Sequence, residues 1–120
     1  MRYVETDSKL EVMDNATGLV WQKAVTEWLT HKRALEHART VAESTGVDWR
    51  LPSIEELSSL IDHGRSNPAS TFPQMPVLAF WSSSLFVDEA IFVWNVSFRY
   101  GVVDYNNGGY YLAVRLVRGG

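Results

Sequence analysis

The chain has no cysteine. Disulfides, thiolate metal ligands and cysteine nucleophiles are therefore excluded. It lacks an excess of basic charge: the net charge is −3, which argues against nucleic-acid binding by a generally basic surface and leaves open only a local basic patch. The N-terminus is polar and no apolar run approaches the length of a transmembrane helix, so neither a signal peptide nor a membrane span is read. With no cysteine to oxidise, a cytoplasmic location is expected, export remaining open if a signal has been removed. There is no internal repeat and no low-complexity segment.

What is present describes a soluble globular protein. At 120 residues the expectation is a single domain spanning 1–120. A chain of this size buries roughly two-thirds of its unfolded surface and can hold a core without staples. A hydrophobic fraction of 46% with 21% charged residues decides against disorder.

The organising stretch is Asp48-Trp49-Arg50-Leu51-Pro52-Ser53-Ile54-Glu55-Glu56-Leu57. Pro52 fixes its own φ and keeps Leu51 extended. Ser53 stands where an N-cap belongs, and Glu56 three residues on closes a capping box. Glu55 and Glu56 suit the positive end of the helix dipole. Leu57, Leu60 and Ile61 give the apolar stripe of a short helix ending near Asp62-His63-Gly64. Trp49 and Leu51 point to the core, while Asp48 and Arg50 need partners.

Before this stretch, residues 1–5 and 9–13 flank Asp7-Ser8 and read as a hairpin. Asp14 and Asn15 read as a turn bonding its own backbone; a calcium site is the sharper alternative, because carboxylate and amide oxygens suit that ion. Thr30 is a plausible N-cap for a helix over 31–44, with Ala34, Leu35, Ala38, Val41 and Ala42 inward and His31 outward. His31 and His37 read as solvated helix residues, and no metal ligands are assigned.

After it, residues 64–72 read as a surface loop, and Pro73 and Pro76 keep the next segment extended. In the strand from Phe92, Phe92, Trp94, Val96 and Phe98 alternate with Val93, Asn95, Ser97 and Arg99. Residues 102–105 return antiparallel. Asn106-Asn107-Gly108-Gly109 is a strong hairpin signal, leading into a last strand that alternates from Tyr110 to Val117. Arg115, flanked by apolar residues, is expected to pair with Asp48 or Asp14; Arg118 is expected in solvent. The expected core includes Trp21, Leu35, Trp49, Leu57, Trp81, Trp94, Phe98 and Val114.

Catalytic material is poor. Ser82-Ser83-Ser84 lacks elbow glycines, and the carboxylates are accounted for by capping and a solvated helix face. Binding material is better. Asn95, Ser97, Arg99, Tyr100, Asp104, Tyr105, Asn106, Asn107, Tyr110 and Tyr111 combine large contact area with adaptable polar tips. They read equally as the solvent face and turns of a sheet edge.

Five segments carry a resemblance. Asp48 to Pro52, followed by Glu56-Leu57, resembles the signature of the Lcl C-terminal domain family. So do the opening run from Asp14 to Lys23, Phe80 to Ser84, Trp94 to Phe98 and the closing run from Val114 to Gly120. The family's fold resembles the C-type lectin fold, in the variant shared with formylglycine-generating enzymes. The resemblance therefore implies an α+β, lectin-like domain with two helices on a twisted, mainly antiparallel sheet. Many secreted members carry a cysteine in the first helix and another in the last strand; Ala38 and Leu116 occupy those places here. Where the family usually opens the first helix with tryptophan, this chain has His31. The cysteine chemistry of formylglycine-generating enzymes is absent.

Similar domains act as bacterial or phage surface binders, in some systems as hypervariable targets of diversity-generating retroelements. There, variation concentrates in the final strands and loops, a region that residues 94–111 resemble. A phage or prophage module that blocks a host protein fits equally. The expected function is non-enzymatic recognition of a protein partner through the C-terminal strands, with no cofactor. The first alternative is carbohydrate binding, including the sulfated polysaccharide suggested by the adhesin member, with calcium as a possible cofactor. The second is a carboxylate-based enzyme. Oligomeric state is not readable.

Overall fold

The computed structural model describes residues 1–119, so Gly120 of the closing motif lies outside the described residues. Local chemistry sets both helices. The longer, α1 (His31–Thr45), starts where the Thr30 side chain accepts the Arg33 N–H at 3.4 Å. It stops at Gly46, whose φ of 70° is left-handed and whose N–H closes on the Ala42 carbonyl at 2.9 Å. The shorter, α2 (Ile54–Ser58), opens with the expected capping box. The Glu56 N–H donates to Ser53 Oγ at 3.2 Å, and the Ser53 N–H donates to Glu56 Oε1 at 2.8 Å. Two tighter turns follow, with Leu60 N–H to Leu57 O and Ile61 N–H to Ser58 O, and they bury Leu57 and Leu60.

Arg50 finds its partner in the same capping residue. Its two terminal nitrogens donate to the two Glu56 carboxylate oxygens at 2.6 and 2.8 Å, and one also reaches the Gly119 carbonyl at 2.9 Å. The forked geometry fits guanidinium to carboxylate and ties α2 to the end of the chain. Asp48 is exposed.

Among the described residues, seven strands form two antiparallel sheets. The first contains β1 (Tyr3–Glu5), β2 (Glu11–Asp14), β3 (Leu19–Gln22) and β7 (Val117–Gly119), in that spatial order. Its last strand returns beside β3, with Trp21 opposite Val117. The second sheet contains β4 (Ala79–Leu85), β5 (Phe92–Ser97) and β6 (Val102–Asn107). The fold is α+β, as expected, with the strand pairing divided between two sheets rather than carried by one.

Residues 112–117 join the two sheets. Leu112 bridges Leu29, Ala113 bridges Phe80, and Val117 bridges Arg50. This segment runs through the interior: residues 113–117 are all buried, so the expected in–out alternation of a surface strand fails. Around it lie two core clusters. One holds Trp21, Leu57, Leu60, Phe72, Phe80, Val96, Phe98 and Val117. The other holds Ala34, Ala38, Trp49, Leu51, Trp81, Val93, Val114 and Leu116. Ala38 and Leu116, at the places where cysteines are expected from the resemblance, thus share one apolar cluster.

Six of the eight expected core residues are buried; two are not. Leu35 is exposed, because α1 turns His31, Ala34 and Ala38 inward instead. His31 packs edge-on to Trp81 at 5.3 Å, with Nε2 3.0 Å from the Ser82 carbonyl, so its expected outward placement is corrected. Trp94 is half-buried. On β5 the buried residues are Val93, Asn95 and Val96, with Phe98 just beyond the strand. Adjacent residues Asn95 and Val96 can both be buried because both sides of β5 are covered there, which no single apolar face predicts.

Two turn expectations are also corrected. Pro73-Gln74 is a tight turn rather than extended chain: Gln74 has φ 55° and the Met75 N–H closes on the Phe72 carbonyl at 3.2 Å. The loop around it also contributes buried Ala69, Ser70, Phe72 and Met75. At the other end, Asn107-Gly108-Gly109 reverses the chain but does not make a hairpin. The Gly108 N–H donates to the Ile91 carbonyl at 3.0 Å, and its own carbonyl accepts the His31 N–H at 2.9 Å. These bonds steer the outgoing chain toward Leu29, and β6 is left as an edge strand.

Candidate functional site

The β5–β6 ribbon is positioned from below. Its turn contains Gly101 at φ 73°, where a Cβ would stand 3.0 Å from Ile61 Cγ2 and 3.1 Å from Ala69 Cβ. Only glycine meets both demands. The loop before β4 grips the same turn: the Ala69 N–H donates to the Phe98 carbonyl at 2.7 Å, and the Asn67 N–H to the Arg99 carbonyl at 2.9 Å. Arg99 and Tyr100 project from this support, exposed, with the guanidinium 5.2 Å from the ring centre.

Along β6, every residue except Asn106 is exposed, including Val102, Val103 and Tyr105 at 47, 43 and 44%. Its inner edge is spent on β5, with Trp94 opposite Tyr105 and Val96 opposite Val103. Directly opposite residues share a face, and on the Tyr105 side four aromatics gather. Phe86 stacks on Tyr105 at 4.7 Å, while Trp94 and Phe92 meet Tyr105 edge-on at 5.5 and 5.7 Å. Phe86, Phe92 and Trp94 are half-buried, so the cluster is an outward-facing apolar platform.

The residues expected to bind divide accordingly. Arg99 and Tyr100 stand at one end of β6; Tyr110 and Tyr111, both exposed, follow its other end; Tyr105 lies between. A strand of this length separates the two ends by roughly 20 Å, so they line an edge rather than form one compact cluster. Asp104 is exposed, with one oxygen accepting the Tyr105 N–H at 2.7 Å. Asn107 is exposed and accepts the Gly109 N–H at 2.8 Å. Asn95 is removed from the surface: it is buried and donates its amide to Asn106 Oδ1 at 2.8 Å. Ser97 is half-buried, and its carbonyl accepts the Gly101 N–H. Sequence reasoning missed Phe86, Phe92, Val102 and Val103 as surface residues. The alternation of Phe92 and Trp94 with Val93 and Asn95 was the available signal; which of the two alternating faces meets the core was not.

Two serines of the run are bonded into the fold. Ser82 is buried and donates to the Trp94 carbonyl at 2.6 Å; Ser84 accepts the Ile54 N–H at 2.9 Å. A register shift between Trp81 and Leu85 accommodates it. Asp14 is also absorbed by the fold. Its carboxylate accepts two bonds from Arg2 at 2.9 and 3.0 Å, one from the Ala16 N–H and one from the Thr17 hydroxyl, the expected turn chemistry. Burial opposes its charge, but these donors outweigh burial and hold the carboxyl below its usual range. Among the described residues, no group of three or more His, Asp or Glu side chains converges as a metal site.

A second feature lies where the closing run leaves the core. Arg115 is 3% exposed and meets neither Asp48 nor Asp14. It donates to the Lys23 carbonyl at 3.1 Å, touches Met75 Sδ at 3.8 Å, and lies 4.4 Å from the Phe72 ring centre. Its Nε has no partner in the structure. Burial pulls the guanidinium down to about 10. Arg118, expected in solvent, is half-buried: it lies over Trp49 at 5.4 Å and reaches Glu11 at 3.4 Å. Beside Arg115 is a groove of about 390 Å³ lined also by Lys23, Val25, Thr26, Pro73, Gln74, Pro76 and Leu78. A second groove of about 450 Å³ shares Thr26 and Leu78 with it and adds Glu27 and Trp28.

Among the described residues, no helix is long and apolar enough to cross a membrane. Compared with known proteins, residues 10–118 match the sequence model of a family described as the Lcl C-terminal domain. No curated protein and no solved structure matches the chain significantly.

Proposed function

The chain belongs to the Lcl C-terminal domain family, and from that premise we propose that it is a non-enzymatic recognition module that binds a protein partner along β6. The observation that carries this reading is the edge strand itself. Its outer side pairs with no other strand among the described residues, and Val103 and Tyr105 stand in the open beside the aromatic platform, with Val102 exposed on the opposite face. Native proteins usually shield such an edge, because it templates pairing with another chain. Addition of a partner strand would pair the outward N–H and C=O groups of Val103 and the Tyr105 carbonyl, and would cover the Val103 side chain.

Arg99-Tyr100 and Tyr110-Tyr111 then act as anchors at the two ends, and the rigid Gly101 turn holds the first pair in place. The lectin-like relationship, and the finer reading as a diversified phage or bacterial receptor, rest on the resemblance and on the Asn, Tyr and Asp content of the exposed strand. A cytoplasmic location rests on the missing cysteines alone.

The test is affinity capture from a bacterial lysate with three baits: wild type, the folded Arg99→Ala/Tyr105→Ala/Tyr110→Ala variant, and Val103→Lys on the edge. The reading expects a discrete protein, held in EDTA by wild type and lost by both variants. Capture that requires calcium, or that is equal for all three baits, overturns it.

A further inference from the structure

The Arg115 groove uses none of the residues of the β6 edge, and its chemistry is different. A buried guanidinium is normally matched by a carboxylate. Arg115 has instead one carbonyl, one thioether contact, the Phe72 and Phe80 rings at 4.4 and 5.8 Å, and an unpartnered Nε. An arginine has five N–H donors, and this set leaves part of that capacity unmet. The nearby cation, Lys23, is already taken by Glu5 at 2.6 Å.

The groove beside it supplies room for more than a water. From Arg115 it runs past Thr26 and Leu78 into the adjoining groove, where Trp28 is 63% exposed. Gln74 borders the mouth, held there in a left-handed conformation that a non-glycine residue rarely adopts. One end is therefore bordered by a buried guanidinium with no carboxylate beside it, and the other by an open aromatic face. Glu27 lines the far end, so a second negative charge on the ligand would be repelled there.

We propose that this paired groove is a binding site for a small organic monocarboxylate, its carboxylate toward Arg115 and an apolar or aromatic tail along Leu78 and Trp28. The site needs no metal and no covalent step. Charge assistance at the guanidinium supplies the orientation, and the tail supplies contact area.

The test is titration of the ¹⁵N-labelled chain with phenylacetate, acetate, phenylacetamide and inorganic phosphate, followed by amide shifts. The expected result is saturable movement of the Lys23, Thr26, Gln74 and Arg115 amides with phenylacetate, at least threefold weaker binding of acetate, and no saturation with phenylacetamide. Trp28→Ala, a surface change that the fold tolerates, is expected to weaken phenylacetate at least threefold and leave acetate unchanged. Arg115→Lys, if folded, is expected to weaken both carboxylates. Equal binding of phenylacetamide and phenylacetate overturns the proposal, since the groove would then be merely apolar. Phosphate binding as tightly as phenylacetate overturns the assigned ligand class. No saturable shift with any probe means that solvent completes Arg115, and the proposal fails.

Discussion

His31 Nε2 lies 3.0 Å from the Ser82 carbonyl, with the imidazole ring edge-on to Trp81. Burial lowers the His31 pKa, and the Ser82 carbonyl only partly opposes that shift. The neutral ring is therefore the form the fold accepts. Its stabilisation is full above the unfolded histidine pKa of about 6.5 and is lost as pH falls through the lower folded value. Denaturant unfolding at pH 8 and pH 5 is expected to show lower stability at pH 5. His31→Phe should cost about 1 kcal/mol at pH 8, by stranding the Ser82 carbonyl, and should flatten the change between the two pH values. An unchanged slope in that variant would assign the pH dependence elsewhere.

Asp14 titrates in a separate window. Its folded pKa is depressed, so its stabilisation is present above about pH 4 and is lost on further acidification. Acid unfolding is expected to be less steep in Asp14→Asn. Removing one partner of a buried pair commonly costs about 3–5 kcal/mol. Arg2 is more than a third exposed and Asp14 keeps two other donors, so Arg2→Met is expected to cost about 1–3 kcal/mol. Urea midpoints at pH 7 measure this directly.

Gly101→Ala combines a left-handed φ with two contacts near 3.0 Å. A loss of about 1–3 kcal/mol is expected from the backbone and the contacts together. Partner affinity, compared at a temperature where the variant is folded, should fall as well, because Arg99 and Tyr100 lose their support. Unaltered stability would show that the turn relaxes freely.

Asn95 separates stability from recognition. Being buried and bonded to Asn106, it is not available to a partner. Asn95→Ala is expected to lower stability by about 1–2 kcal/mol and to leave capture unchanged. Tyr105→Ala should show the converse emphasis, a smaller stability loss with weaker capture. Thermal melts and the capture assay on the same two proteins decide between these assignments.

The strongest local signals were legible in the amino acids. The Ser53–Glu56 capping box, the Thr30 cap and the Gly46 stop each depend on residues a few positions apart. Their chemistry closes without help from the rest of the chain. The family signature could be recognised for a related reason: its motifs mark caps, turns and core tryptophans. Candidate site residues were legible as a composition, tyrosine, asparagine and arginine in a β-rich end, but not as a surface.

What the sequence alone determined is thus the α+β class, the two helix starts and the family. Tertiary structure decided the rest, because burial is a property of neighbours. Alternation on β5 showed two faces, but only the covering of both sides at Asn95 and Val96 set which residues were left outside. Asn107-Gly108-Gly109 encoded a reversal, and bonds to Ile91 and His31 decided that the chain would leave β6 unpaired. Arg115 promised an ion pair, yet its neighbours are two phenyl rings, a thioether and a carbonyl. Each of these outcomes depends on contacts across tens of residues, where the identity of a side chain does not specify what it will meet.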